Sequence, residues 1–252
     1  MSLTPSPKAL ARGLSTFVGM QPPVDLAEVA KRIGLRWKEV NSSGFDGALV
    51  RIANRPRGIV ATRKAIDGEG RKRFTIAHEI GHYVLSGHGV DTSVCAKEAV
   101  GVLRKNVDRM EKEANEFASE LLLPSRTVAA IVAKFGVSIE TSRFVAQQFE
   151  ASLTASAVKC VETSNTKAAL VVTEDGVIKY FRRGGRWKYY IKQGNELFSG
   201  SLAKDPWPEG VFEKRGKVSG LAWTHVQACP DLWEESILMP LYHRILTLLT
   251  VV

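Results

Sequence analysis

Residues 74–83 read Phe74-Thr75-Ile76-Ala77-His78-Glu79-Ile80-Gly81-His82-Tyr83, and their spacing decides how the rest of the chain is to be read. Phe74, Ala77, Ile80, Gly81 and Val84 or Leu85 recur at helical intervals, which predicts a helix over Phe74–Leu85. On such a helix His78 and His82 lie one turn apart on the same face, where both imidazoles can reach one cation. That geometry suits zinc. Glu79 projects to the side, where its carboxylate can take a proton from water without occupying the coordination sphere, so it is the candidate general base. Chance alone produces this five-residue pattern in on the order of one chain in a hundred of this length, so context has to add weight. The apolar neighbours supply some of it, and Gly81 removes a side chain where another backbone could approach. Two core histidines that merely shared a register would each need a separate polar partner.

A catalytic zinc takes three protein ligands and keeps one position for water, so a third ligand must come from elsewhere. A second helical pattern runs from about Val107 to Leu123 and stops at Pro124. Within it Glu111, Ala114 and Asn115 share a face. Small Ala114 would let two helices approach, Glu111 could ligate the metal, and Asn115 could hydrogen-bond a ligand histidine and fix its tautomer. Glu113, half a turn away, is the rival ligand, because Glu116 and Glu120 show that this helix also carries a solvated acidic face. His88 lies in a glycine loop and reads first as structural, with a second reading in which it lines the cleft and stabilises an oxyanion. His225 and His243 fall far downstream and read as structural.

Around this centre, Asp25 and Glu28 have capping-box spacing before the apolar face Leu26, Val29, Ala30 and Ile33, predicting a short helix that ends at Gly34. Ala48–Ile52 and Gly58–Thr62 read as a hairpin joined by Asn54-Arg55-Pro56-Arg57, and the Gly58–Thr62 strand could offer its edge to an extended peptide. Asp67–Gly70 reads as a loop. Helices over Thr127–Lys134 and Ile139–Phe149 flank Phe135-Gly136-Val137-Ser138, with Gly136 as a C-terminal cap and Ser138 as an N-cap, giving a helix-turn-helix outline. A third short helix over Leu153–Val161 leads to a polar linker, Glu162–Lys167. Beyond it strands dominate: Ala168–Thr173, Val177–Phe181, Trp187–Ile191, Lys217–Trp223, Ile237–Met239 and Ile245–Val252. The fold class expected is α+β, with a first domain over 1–124, a helical segment over 125–164 and a second α+β domain over 165–252.

The 252 residues are 44% hydrophobic and 24% charged, an ordinary globular composition. No apolar stretch supplies the roughly 20 uninterrupted residues of a spanning helix, and Met1–Met20 has no signal-peptide pattern. No membrane association is expected. Cys95, Cys160 and Cys229 are odd in number and far apart, which argues against a disulfide framework and fits a reducing cytoplasm. The net charge is +9, and residues 1–80 hold 14 Lys or Arg against 7 Asp or Glu. Such a field attracts acidic partners or nucleic acid, although a solvated basic surface explains it as well.

The stretch Phe74–Tyr83, followed by Glu111 through Pro124 as EKEANEFASELLLP, resembles the ImmA/IrrE metallopeptidases. The likeness extends from the capped helix at Asp25 to about Val161. It implies a zincin-like peptidase in which His78, His82 and Glu111 bind the metal and Glu79 activates water. Zinc is the cofactor expected, with another divalent cation such as manganese able to replace it. Members similar to IrrE also carry a helix-turn-helix-like part and a C-terminal GAF-like domain. The implied substrate is a helix-turn-helix repressor of the Xre type, cut to release stress-response or mobile-element genes. The alternative is a DNA-binding transcriptional regulator that uses Arg143 and Gln147 of the helix-turn-helix segment and keeps only a structural or vestigial metal site.

Overall fold

The computed structural model describes residues 5–19, 21–51, 57–85, 92–94 and 102–252. By internal contacts the chain divides into two compact units, Met1–Pro124 with Ala146–Ser152, and Ser125–Val145 with Leu153–Val252. The helical segment 125–164 is thus apportioned between them. The fold class is α+β, as the sequence predicts.

In the first unit a helix α1 (Pro7–Val18) precedes the expected α2 (Leu26–Arg32). Both start on side-chain caps: Ala9 N donates to Ser6 Oγ, and Glu28 N to Asp25 Oδ1. Four strands follow in a sheet of order β1-β3-β2-β4, comprising β1 (Leu35–Val40), β2 (Gly47–Arg51), β3 (Gly58–Arg63) and β4 (Thr92–Val94). The expected hairpin is β2–β3, antiparallel, with Leu49 opposite Val60. However, β3 also pairs in parallel with β1 along its whole length. Both its edges are therefore filled, and it cannot take a peptide as an added strand. The sequence reading missed β1 because its Arg36, Lys38 and Glu39 hide the apolar alternation.

Helix α3 (Glu69–Val84) begins five residues before the predicted start, so part of the expected loop at Asp67–Gly70 is helix. Helix α4 (Val102–Leu122) packs beside it. Ile76, Ala77 and Ile80 of α3 and Ala114, Phe117, Ala118 and Leu121 of α4 are buried. Helix α1 covers the other side of α4, where Arg12 reaches the buried Glu120 at 3.3 Å.

The second unit contains α5 (Ser125–Phe135), α6 (Ile139–Phe149, its last turn belonging to the first unit) and α7 (Leu153–Thr163). Gly136 is left-handed, and Thr141 N donates to Ser138 Oγ, as the caps predict. Strands β5 (Ala168–Glu174), β6 (Val177–Arg183), β7 (Glu213–Val218), β8 (Leu232–Met239) and β9 (Arg244–Val251) form an antiparallel sheet of order β6-β5-β9-β8-β7. Its two faces are both covered. Ala168, Leu170, Val172, Leu246 and Leu248 pack against Ile139, Ala157 and Val161 of the helices. On the opposite face Ala169, Val171, Leu232 and Leu249 pack against Trp187, Ile191 and Leu197 of the connection 184–212 and Trp223 of the connection 219–231. That two-sided burial explains the unbroken apolar run at Ala168–Val172.

Two expected strands differ. Trp187–Ile191 is irregular backbone that plugs Trp187 and Ile191 into the core, and the alternation there reflects burial without a ladder. Lys217–Trp223 is the end of β7 followed by a 3-10 turn at Gly220–Ala222 capped by Ser219. The carboxylate of buried Glu234 ties both connections to β8, accepting from Ala203 N at 2.7 Å and Trp223 Nε1 at 2.8 Å. Among the described residues no helix is long and apolar enough to cross a membrane.

Candidate metal centre

Helix α3 is buried around nearly its whole circumference between Ile76 and His82. Ordinary helices keep a polar face in water, so the inclusion of two histidines and a glutamate in this run calls for partners. His78 and His82 point the same way, their rings 4.6 Å apart and edge-on and their Nε2 atoms separated by 3.0 Å. Glu111 of α4 closes the triangle, with Oε2 3.2 Å from His78 Nε2 and Oε1 3.2 Å from His82 Nε2. The three residues each offer one ligand atom within a common radius suited to a metal ion. Glu113 instead meets Arg109 along its own helix at 3.5 Å.

Close approach of the two helices makes this possible. A Cβ on Gly81 would lie 3.3 Å from Ala114 Cα and 3.0 Å from Phe117 Cδ1, so the missing side chain of Gly81 and the small one of Ala114 meet face to face. One turn beyond Glu111, Asn115 Oδ1 is 3.0 Å from His78 Nδ1. An amide oxygen can only accept, so Nδ1 carries the proton and the Nε2 lone pair of the neutral ring is directed at Glu111 and His82. Three electron-rich atoms so close together require either extra protons or a cation. Protons leave their mark: the two imidazole hydrogen bonds hold Glu111 well below the usual carboxylate range. Burial alone would lower His78, but the hydrogen bond to Glu111 and the charges of Glu79 and Glu111 outweigh it and raise its pKa.

A cation fits equally well. With zinc bonded at about 2.0–2.1 Å to nitrogen and oxygen, the edge of a coordination tetrahedron is about 3.3 Å. The nitrogen–nitrogen separation of 3.0 Å and the 3.2 Å from each nitrogen to its own Glu111 oxygen are close to that edge, and one ligand atom from each residue lies within 4.8 Å of the other two.

Glu79 is buried, and β2 lies directly against it. A Cβ on Gly47 would fall 2.5 Å from Thr75 Cγ2 and 2.7 Å from Glu79 Oε1. The last turn of α3 is held by Arg51 of the same strand, which donates to His82 O at 2.6 Å and Tyr83 O at 3.2 Å and lies 5.0 Å over the Tyr83 ring. Sequence reasoning missed Gly47 and Arg51, since neither belongs to the motif; a glycine opening a β-branched-poor strand was the one signal present. His88 lies outside the described residues. His225 stacks edge-on with Phe198 at 4.5 Å in the second unit, where His243 occupies a left-handed turn position.

The IrrE N-terminal-like domain profile, Peptidase_M78, matches residues 30–160. No curated protein matched the chain. Among solved structures, one described as a Mycobacterium tuberculosis transcriptional regulator is similar, with a TM-score of 0.66 at 13% identity over 97% of this chain and 76% of that one. Identity that low speaks for the fold alone. The profile spans more than half of the chain and contains the histidine pair, Glu79 and Glu111, so the protein belongs to the Peptidase_M78 family of IrrE N-terminal-like domains.

Proposed function

We propose that the protein is a regulatory zinc-dependent endopeptidase in which His78, His82 and Glu111 hold the cation and Glu79 is the general base. The convergence of the two Nε2 atoms and the Glu111 carboxylate at 3.0–3.2 Å carries this reading. A zinc ion held there would supply Lewis-acid polarisation of the scissile carbonyl and ease deprotonation of water. Glu79 takes the proton of the attacking water and passes it to the leaving amine nitrogen, so no covalent intermediate is needed. Asn115 keeps the His78 ring in register, and Gly47 lets β2 press on Glu79 so that its carboxylate holds one position. Manganese fits the same mixed nitrogen and oxygen set.

Family resemblance supports a helix-turn-helix repressor of the Xre type as the substrate. The tight α5–α6 turn at Gly136 supports a helix-turn-helix-like reading of 125–164, and the two-sided antiparallel sheet supports a GAF-like reading of 165–252. Free, buried Cys160 and Cys229 fit a reducing cytoplasm. DNA reading by α6 has less support, because Glu213 and Glu140 occupy Arg143. The test is incubation of the zinc-loaded protein with a candidate repressor, read by mass spectrometry of the fragments. Glu79→Gln should retain the metal and lose cleavage; cutting by that variant at the wild-type rate would remove Glu79 from its assigned role.

A further inference from the structure

Strand β6 lies at one edge of the second sheet, and the chain that follows it doubles back along the same edge. Trp187 N donates to Gly184 O as the chain turns. The return then rejoins β6, where Gly194 N donates to Ile178 O, Ile178 N to Asn195 O and Gln193 Nε2 to Lys179 O. The strand and its return are thus joined along one edge, with Arg183 on the same sheet face as Trp187 and Ile191 of the return, and Tyr180 and Arg182 on the other. The sequence of residues 177–195 is VIKYFRRGGRWKYYIKQGN, with six Lys or Arg and no Asp or Glu.

Burial sorts these side chains. Trp187 and Ile191 are each 1% exposed and pin the return segment into the core. Lys179, Arg182, Arg183, Arg186, Lys188 and Lys192 are all exposed. Tyr190 is 68% exposed, while Tyr180 is half-buried under the Arg182 guanidinium at 4.6 Å. Glu162 lies 3.8 Å from Arg182, and Glu196 closes the far end opposite Val177. Five cations thus remain beyond the Arg182 pair, with the exposed ring of Tyr190 between Lys188 and Lys192.

We propose that this β6 edge and its return segment bind single-stranded nucleic acid, independently of the peptidase reading. The charge selects a polyanion. Exposed tyrosine between cations selects one with free base faces, since stacking needs unpaired bases while the cations track phosphates. Among the described residues the segment 177–195 contains no helix to enter a duplex groove, which disfavours double-stranded DNA.

Fluorescence anisotropy of the full-length protein with labelled oligo(dT) and oligo(U) of about 15 nucleotides, and with a duplex of equal length, tests this. Both single strands should bind more tightly than the duplex. Five phosphate contacts correspond to a log–log salt slope of about −3.5, or roughly a hundred-fold weakening between 50 and 200 mM salt. Tyr190→Ala should weaken single-strand binding about ten-fold with little change in that slope. The combined Arg186→Glu, Lys188→Glu and Lys192→Glu variant should bring the slope to about −1.4 or abolish binding. All four positions are exposed, so unchanged thermal melting verifies that the variants fold. Absence of single-strand binding at 50 mM salt overturns the proposal. So does equal preference for duplex, equal competition by polyglutamate, or wild-type affinity in the charge-reversed variant.

Discussion

Replacing Gly81 by alanine tests the helix contact on which the metal centre depends. Alanine in a helix interior is favoured over glycine by about 0.8–1.0 kcal/mol. Against that gain, the new methyl would sit 3.0 Å from Phe117 Cδ1 and 3.3 Å from both Cα and O of Ala114. Two of those atoms are backbone, which cannot rotate aside, so α4 has to retreat by a few tenths of an ångström. Overpacking of this kind costs about 1–3 kcal/mol, leaving a net change between roughly neutral and 2 kcal/mol destabilising. The ligand set responds more sharply, because Glu111 moves with α4 while both histidines stay on α3. A retreat of that size lengthens the Glu111 distances beyond 3.2 Å and should weaken zinc binding by about ten-fold or more. Chemical denaturation and zinc titration against a fluorescent chelator read the two effects separately. A variant stabilised by about 1 kcal/mol with unaltered zinc affinity would refute the packing argument.

Three further outcomes follow from the same geometry. Asn115→Ala removes the acceptor that orients His78 and should lower zinc affinity by about 10- to 100-fold, checked by the same titration; an unchanged affinity would mean the ring is held otherwise. Gly47→Ala places a methyl 2.7 Å from Glu79 Oε1 and should lower kcat by about a hundred-fold with the metal retained, measured as fragment release alongside metal analysis. For pH, the raised His78 pKa in the metal-free fold means that protons compete with zinc from above pH 6.5 downward. The metal-free protein responds differently. Its His78 contribution is present below pH 6.5 and lost as pH rises through the raised value; its Glu111 contribution is present above pH 4.5 and lost as pH falls. Zinc affinity that stays flat on acidification through pH 6.5, or metal-free melting temperatures with no maximum between 4.5 and 6.5, would contradict these directions.

The legible part of the site was its helical part. Periodicity of 3.6 places His78 with His82 and Glu111 with Asn115 on shared faces, and small Gly81 and Ala114 mark where those faces can meet. Such inferences need only spacing along one helix at a time. Gly47 and Arg51 act across tertiary distance from β2, so nothing within five residues of either points to α3. The same limit explains β3, whose second edge is taken by a strand 23 residues earlier with charged residues along it. Trp187–Ile191 failed for another reason: alternating burial arises wherever irregular chain plugs side chains into a core, so alternation alone does not imply a ladder. Helix α1 was readable in retrospect from Ser6-Pro7 and the left-handed Gly19, a cap at each end.

X-ray absorption at the zinc edge of the stoichiometrically loaded protein measures the central claim most directly. The account predicts one zinc per chain with two imidazole nitrogens, protein carboxylate oxygen and a further light-atom ligand at about 2.0–2.1 Å, and loss of one imidazole in His82→Ala. A loaded protein whose zinc environment contains a thiolate, or is unaltered by His82→Ala, would contradict it.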